Sequence, residues 1–166
     1  MLFRSKIAAE NNIPYIIIDK ERFFKGDAYL PEIKKYEIDL LVLAGFLWKI
    51  PAALIEHYPK RIINIHPALL PKYGGKGMYG DNVHKAVINA GDSESGITIH
   101  FVDEIYDHGQ IILQANCPVL KDDTPETLAQ RIHQLEYWHF VGAIKLVCGN
   151  RSEERTSELQ SPCDLV

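Results

Sequence analysis

Two short apolar runs, each cut off by a turn-forming residue, constrain this chain more than any other feature. Leu40-Leu41-Val42-Leu43-Ala44-Gly45 is continuously apolar and ends at a glycine, and Arg61-Ile62-Ile63-Asn64-Ile65-His66 is stopped by Pro67. The first fits a strand buried on both faces, because a half-exposed strand would alternate with polar residues, and the second reads as a further strand. Between them Pro51 opens Ala52-Ala53-Leu54-Ile55-Glu56-His57-Tyr58, and Pro59 follows. Proline in a first helical turn sacrifices no hydrogen bond, so a helix is predicted there. A further β-rich run, Pro14-Tyr15-Ile16-Ile17-Ile18-Asp19, also reads as a buried strand. Residues 20–39 carry Phe23, Phe24, Leu30, Ile33 and Tyr36 at roughly helical spacing, broken by Gly26 and Pro31, which predicts a loop and then a helix. Strands and helices alternating at these intervals predict βαβ units. The expected fold class is α/β, a mostly parallel twisted sheet flanked by helices.

From residue 96 the pattern changes. Gly96-Ile97-Thr98-Ile99-His100-Phe101-Val102 and Gln110-Ile111-Ile112-Leu113-Gln114-Ala115 predict two strands joined through 103–109, an antiparallel pair at the sheet edge. Thr124 is a good N-cap with Pro125 behind it. Leu128, Ile132, Leu135, Ile144 and Val147 form the apolar stripe of a long helix over 125–148.

Composition narrows the class. A chain of 166 residues with 46% hydrophobic and 24% charged content has the profile of one globular domain. The net charge of −4 is spread out, with no Lys/Arg block, which argues against nucleic-acid partners. No apolar stretch reaches the ~18 residues of a membrane helix, and the first residues lack a signal-peptide pattern, so no membrane partner and a cytoplasmic location are expected. The three cysteines, Cys117, Cys148 and Cys163, show no CxxC pair and read as free thiols. His84, His133 and His139 lack the spacing of zinc ligands, so no metal is expected.

The two ends look foreign to the rest. Leu2-Phe3-Arg4-Ser5 can be encoded by CTCTTCCGATCT, whose reverse complement encodes Arg151-Ser152-Glu153-Glu154. We therefore expect a natural domain over 6–150, with 1–5 and 151–166 as non-native, disordered ends.

Side chains two apart on a strand share a face, so Asn64 and His66 project together at the end of a strand. Open α/β sheets place ligands outside the carboxyl ends of their strands. An amide donor beside an imidazole can stabilise a tetrahedral oxyanion and deliver a proton. A satisfied Asn and His at a strand end is the ordinary reading of such a pair taken alone.

The surrounding residues add specificity. Asn64-Ile65-His66-Pro67-Ala68-Leu69-Leu70-Pro71-Lys72-Tyr73 resembles a signature of the formyltransferases that use 10-formyltetrahydrofolate. Gly96-Ile97-Thr98-Ile99-His100-Phe101-Val102 followed by Tyr106-Asp107-His108-Gly109 is similar to that family's second signature. The resemblance spans about residues 6–148. Ala44-Gly45-Phe46 and Leu70-Pro71-Lys72-Tyr73-Gly74-Gly75-Lys76-Gly77 are more similar to the glycinamide ribonucleotide branch than to the branch acting on methionyl-tRNA.

The resemblance implies a Rossmann-like formyltransferase fold and transfer of a formyl group from 10-formyltetrahydrofolate, as co-substrate, to the amine of glycinamide ribonucleotide in purine synthesis. It implies a catalytic trio: Asn64 holding the formyl oxygen, His66 as the protonated imidazole, and Asp107 keeping that imidazole charged. Folate contacts fall on Leu47, Trp48, Lys49, Ile50, Asn64, Val102 and Lys25, with Trp48 standing where many relatives carry Arg. Ordinary core packing is the competing reading of Phe46 and Leu47. Ribonucleotide contacts fall on Gly45, Pro67, His133 and Glu136, where the competing reading of Glu136 is a solvated helical carboxylate. The family begins with a strand and a glycine-rich phosphate loop. No such loop precedes Pro14, so the first βα unit is expected to be missing from this chain. Competing functions are a formyl-folate hydrolase, another amine-directed formyltransferase, and an inactive folate-binding fragment.

Overall fold

The structure, a computed structural model, describes residues 2–153. A mixed sheet of four strands lies at its centre: β1 (Leu41–Leu43), β2 (Ile62–His66), β3 (Glu94–Phe101) and β4 (Ile111–Pro118), in that order across the sheet. β1 and β2 run parallel, with Leu41 opposite Ile62 and Leu43 opposite Asn64, joined through α4 (Ala52–His57). β2 with β3 and β3 with β4 are antiparallel. The parallel part is thus smaller than the alternating pattern suggested. The β3–β4 pair is antiparallel as expected, because the segment between them is too short for a parallel return; the departure is that β2 also runs antiparallel to β3.

The run at 14–19 forms no strand. Ile13, Tyr15 and Ile17 are more than half exposed. A strand needs a ladder partner, and β1 pairs with β2 alone among the described strands. Asp19 instead starts α2 (Lys20–Phe23), its carboxylate accepting the Arg22 N–H at 2.8 Å. α3 (Leu30–Lys35) completes the loop-and-helix stretch. These elements pack around Phe23, Tyr29, Ile50, Leu54, Tyr58 and Ile62.

The larger core lies against β3. Along that strand Ile97 and Ile99 point one way and Thr98 and His100 the other, as the two-residue period requires. Ile97 and Ile99 are fully buried with Val87, Cys117, Leu128, Ile132 and Ala143. Leu128, Ile132 and Ala143 come from α6 (Pro125–Glu153), whose first turn is closed by reciprocal hydrogen bonds between Thr124 and Thr127. Burying such a side chain contributes about 1.5–3 kcal/mol. Val87 comes from α5 (Asp81–Ala90), a helix the sequence reading passed over although Val83 and Val87 stand one turn apart and Gly91 follows.

Helix crosses both expected domain boundaries. α1 (Leu2–Glu10) starts before residue 6, with a Lys6–Glu10 pair one turn apart, and α6 continues past 150 because no helix breaker intervenes. The rest of the expected disordered tail, 154–166 with Cys163, lies outside the described residues. No helix among the described residues is long and apolar enough to cross a membrane.

Candidate active site

Register assembles the centre of the site. On β2, Asn64 and His66 share a face. On β3 the residues opposite them are His100 and Thr98. Four polar side chains are thereby placed on one face at the middle of the sheet, backed by isoleucines on the other. His66, Thr98 and His100 are all buried.

Asp107 arrives from the loop after β3. Its carboxylate lies between the two imidazoles, Oδ2 at 3.6 Å from His66 Nδ1 and Oδ1 at 3.7 Å from His100 Nε2. These are ion-pair separations rather than hydrogen bonds. Oδ2 also accepts the Gly75 N–H at 2.9 Å. Asp107 has φ 53, a left-handed conformation that a non-glycine residue holds at a cost of about 1–3 kcal/mol. Two glycines make this geometry possible. A Cβ on Gly109 would sit 1.8 Å from the Phe101 carbonyl oxygen, so only glycine lets the loop close on β3. A Cβ on Gly74 would lie 2.6 Å from Leu70 and 3.2 Å from the Asp107 Cβ.

Hydrogen bonds assign the protons. His100 Nδ1–H donates to the Phe101 carbonyl at 2.8 Å, leaving Nε2 as acceptor for the Asn64 amide at 3.2 Å. Burial holds His100 below the ordinary histidine range, against the opposing pull of the Phe101 carbonyl and Asp107, so the ring is neutral. One Asn64 N–H is thus committed and the other is available to an incoming oxygen. His66 Nε2–H donates to the Tyr73 carbonyl at 2.8 Å while Nδ1 faces Asp107.

Thr98 and Gln114 hold the segment after His66. The Thr98 hydroxyl donates to the Ala68 carbonyl at 2.7 Å and accepts from Leu70 N–H at 3.0 Å. Gln114 Nε2 donates to both Thr98 Oγ1 and the Leu70 carbonyl. Sequence reading missed Thr98 and Gln114. The signal that finds Thr98 and His100 is the alternation along β3, which sets them on the face of Asn64 and His66.

Beside Asn64 and Asp107 a narrow cavity of about 60 Å³ is lined by Leu43, Phe46, Trp48, Lys49, Ile50 and Val102. Trp48 packs against Phe23 and Phe46, each with ring centroids 5.7 Å away. The expected contacts Trp48, Lys49, Ile50 and Val102 are therefore gathered here. Leu47 is exposed, Lys25 is exposed, and neither lines the cavity. Gly45 turns the chain after β1 with φ 65, and Pro67 follows His66 directly. His133 and Glu136 pair on α6 at 2.9 Å. Their charges act on His84, which is buried, has an unpartnered Nδ1, and also feels His66. Burial, then His133, push His84 below the ordinary range. A larger groove of about 470 Å³ between Leu69 and Ser95 contains none of the trio. Among the described residues no group of three or more His, Cys, Asp or Glu side chains is arranged to hold a metal ion.

A family model described as formyl transferase matches residues 4–144. The chloroplastic phosphoribosylglycinamide formyltransferase of Arabidopsis thaliana is 43% identical over 156 residues, covering 91% of this chain and 53% of that protein. The chain thus spans about half the length of the curated relatives it matches first. The crystal structure of phosphoribosylglycinamide formyltransferase from Anaplasma phagocytophilum superposes with a TM-score of 0.78 at 32% identity, covering 88% of this chain and 69% of that one. A formyltetrahydrofolate deformylase from Pseudomonas syringae pv. tomato shares the fold, with a TM-score of 0.72 at 24% identity over 84% of this chain and 46% of that one. With its two signatures, its fold and these matches in agreement, the chain belongs to the formyl transferase family.

Proposed function

We propose that this chain carries the catalytic part of a phosphoribosylglycinamide formyltransferase, moving a formyl group from 10-formyltetrahydrofolate to the amine of glycinamide ribonucleotide. The observation that supports it most is the meeting of Asn64, His66 and Asp107, with the Asp107 carboxylate 3.6 Å from His66. The substrate amine attacks the formyl carbon, the oxygen takes up the negative charge, and the bond from that carbon to the folate nitrogen breaks. Asn64 donates its free N–H to the oxygen. His66, paired with Asp107, stabilises the developing charge and supplies the proton that the departing folate nitrogen needs, while the attacking amine releases one. No covalent enzyme intermediate is required.

In this reading Trp48, Lys49, Ile50 and Val102 form the pterin slot, with Leu47 and Lys25 near its mouth. Ligand pockets are usually about 300–1,000 Å³, so in this reading the slot, edged by Ile105 and Tyr106, widens as the ring system enters. Gly45, Pro67, His133 and Glu136 face the ribonucleotide. The proposed compartment is the cytoplasm, supported by the free thiols of Cys117 and Cys148. Water as acceptor is the second reading, favoured by the fold shared with the deformylase. The test follows labelled formyl from 10-formyltetrahydrofolate with and without glycinamide ribonucleotide. Label on the ribonucleotide, produced only when it is present, supports the transferase. Formate released at the same rate without it replaces the transferase with the hydrolase.

A further inference from the structure

The loop that delivers Asp107 carries a second carboxylate with its own geometry. Asp103 opens the loop directly after Val102. Its Oδ1 accepts the Ile105 N–H at 2.8 Å and its Oδ2 accepts from His108 Nδ1 at 2.8 Å. One side chain thus ties together the residues two and five positions ahead of it, and Asp107 lies inside that tie.

The ends of the loop are fixed independently. Phe101 N–H donates to the Gln110 carbonyl at 2.9 Å, and Gly109 sits against the Phe101 carbonyl. Between these fixed ends the backbone has to enter the left-handed region at Asp107, a conformation with little intrinsic preference. The interior is held by the Asp103 bonds on one side and by the Gly75 N–H on the Asp107 carboxylate on the other.

Exposure separates this arrangement from core packing. The Asp103 and His108 side chains are 40% and 65% exposed, while the Asp107 side chain is 11% exposed. An exposed ion pair alone contributes little to global stability, about 0–1 kcal/mol. What the tie changes is local: it selects the loop conformation in which the buried carboxylate reaches both imidazoles. Burial pushes the Asp103 carboxyl up, but the bonds from His108 and the Ile105 N–H outweigh it and hold the group ionised below the ordinary range.

We propose that Asp103 is a positioning residue for Asp107, holding it between His66 and His100 through the Ile105 and His108 bonds. Its meaning for catalysis rests on the formyl-transfer reading, but its test does not require turnover. The imidazole nitrogen signals of His66 and His100 are recorded by NMR in the unmodified chain and in Asp107→Asn, which defines the displacement caused by losing the carboxylate. In Asp103→Ala both signals are expected to move in the same direction as in Asp107→Asn while the melting temperature stays within a few degrees. His108→Ala, which removes only an exposed arm of the tie, is expected to give a smaller shift in the same direction. It also keeps the test open if Asp103→Ala folds poorly. Histidine signals unchanged in folded Asp103→Ala or His108→Ala would overturn the proposal. A chain that transfers no formyl group yet shows the expected shifts would count against the function and leave the positioning role standing.

Discussion

Residues 13–50 and residues 62–147 each bury a core, but their most β-rich runs fare differently. In the first stretch Ile13, Tyr15, Ile17 and Leu47 stand more than half exposed, and the run at 14–19 has strand composition but no ladder. In the second, Ile62, Ile63, Ile97, Ile99, Leu128 and Ile132 are essentially inaccessible to solvent. The two stretches do not differ in the kind of residue they use. They differ in whether the topology supplies a neighbour, which is why β propensity reports fit to a half-buried pleated surface rather than an intrinsic backbone preference. The proposed catalytic trio lies wholly in the second stretch, with Asn64 and His66 on β2 and Asp107 in the loop after β3. The proposed folate slot borrows Phe46 to Ile50 from the end of the first.

The largest expected effect tests that contrast directly. Ile132→Ala should cost about 2–5 kcal/mol in urea unfolding, as other buried isoleucine truncations do. Ile17→Ala should stay within about 0.5 kcal/mol. Equal costs would erase the distinction. Hydrogen exchange sharpens it next: amides of β2, β3 and β4 should exchange only on global opening, while those of 15–18 exchange near the intrinsic rate. Rapid exchange across β3 would show that the platform is not rigid.

A smaller effect is pH-dependent. His84 and His100 are buried and held below the ordinary histidine range in the folded chain. The unfolded chain therefore binds more protons below about pH 6.5, so their contribution to stability is intact above that value and is lost as pH falls through the folded values. The urea midpoint should drop from pH 7.5 to 5.5, and His84→Gln should flatten the decline. An unchanged slope in that variant would remove His84 from the account. Asp123, held far below the usual carboxylate range chiefly by Arg131, gives way only in stronger acid. The smallest expected effect is self-association: Ile16→Lys with Ile17→Lys should reduce concentration-dependent sedimentation, because the replaced apolar surface is exposed.

Much of this was legible in the sequence. The 62–66 run, the stripe from Leu128 to Val147, the 96–102 strand and the Thr124 cap follow from periodicity and local chemistry, and the structure places each as expected. Asn64 and His66 were legible as a pair because two residues on one strand need no tertiary information. Trp48, Lys49, Ile50 and Val102 came from resemblance, and they share a cavity. Direction of pairing was legible for β3 with β4, whose joining segment is too short for a parallel return, but not for β2 with β3. Nor was the strand at 14–19 refutable from composition, because a missing ladder partner leaves no mark on the residues that lack it. The closeness of His100 to Asn64 was not legible for a related reason: it depends on the register between β2 and β3.

The central claim is that His66 and Asp107 act as one unit. The most direct measurement is a double-mutant cycle on formyl transfer to glycinamide ribonucleotide, using His66→Ala, Asp107→Asn and the combination. The account predicts that each single change lowers turnover by roughly 10²–10⁴-fold and that the double variant is no slower than the worse single one. Losses that multiply, as for independent groups, would contradict it, as would full turnover in either single variant.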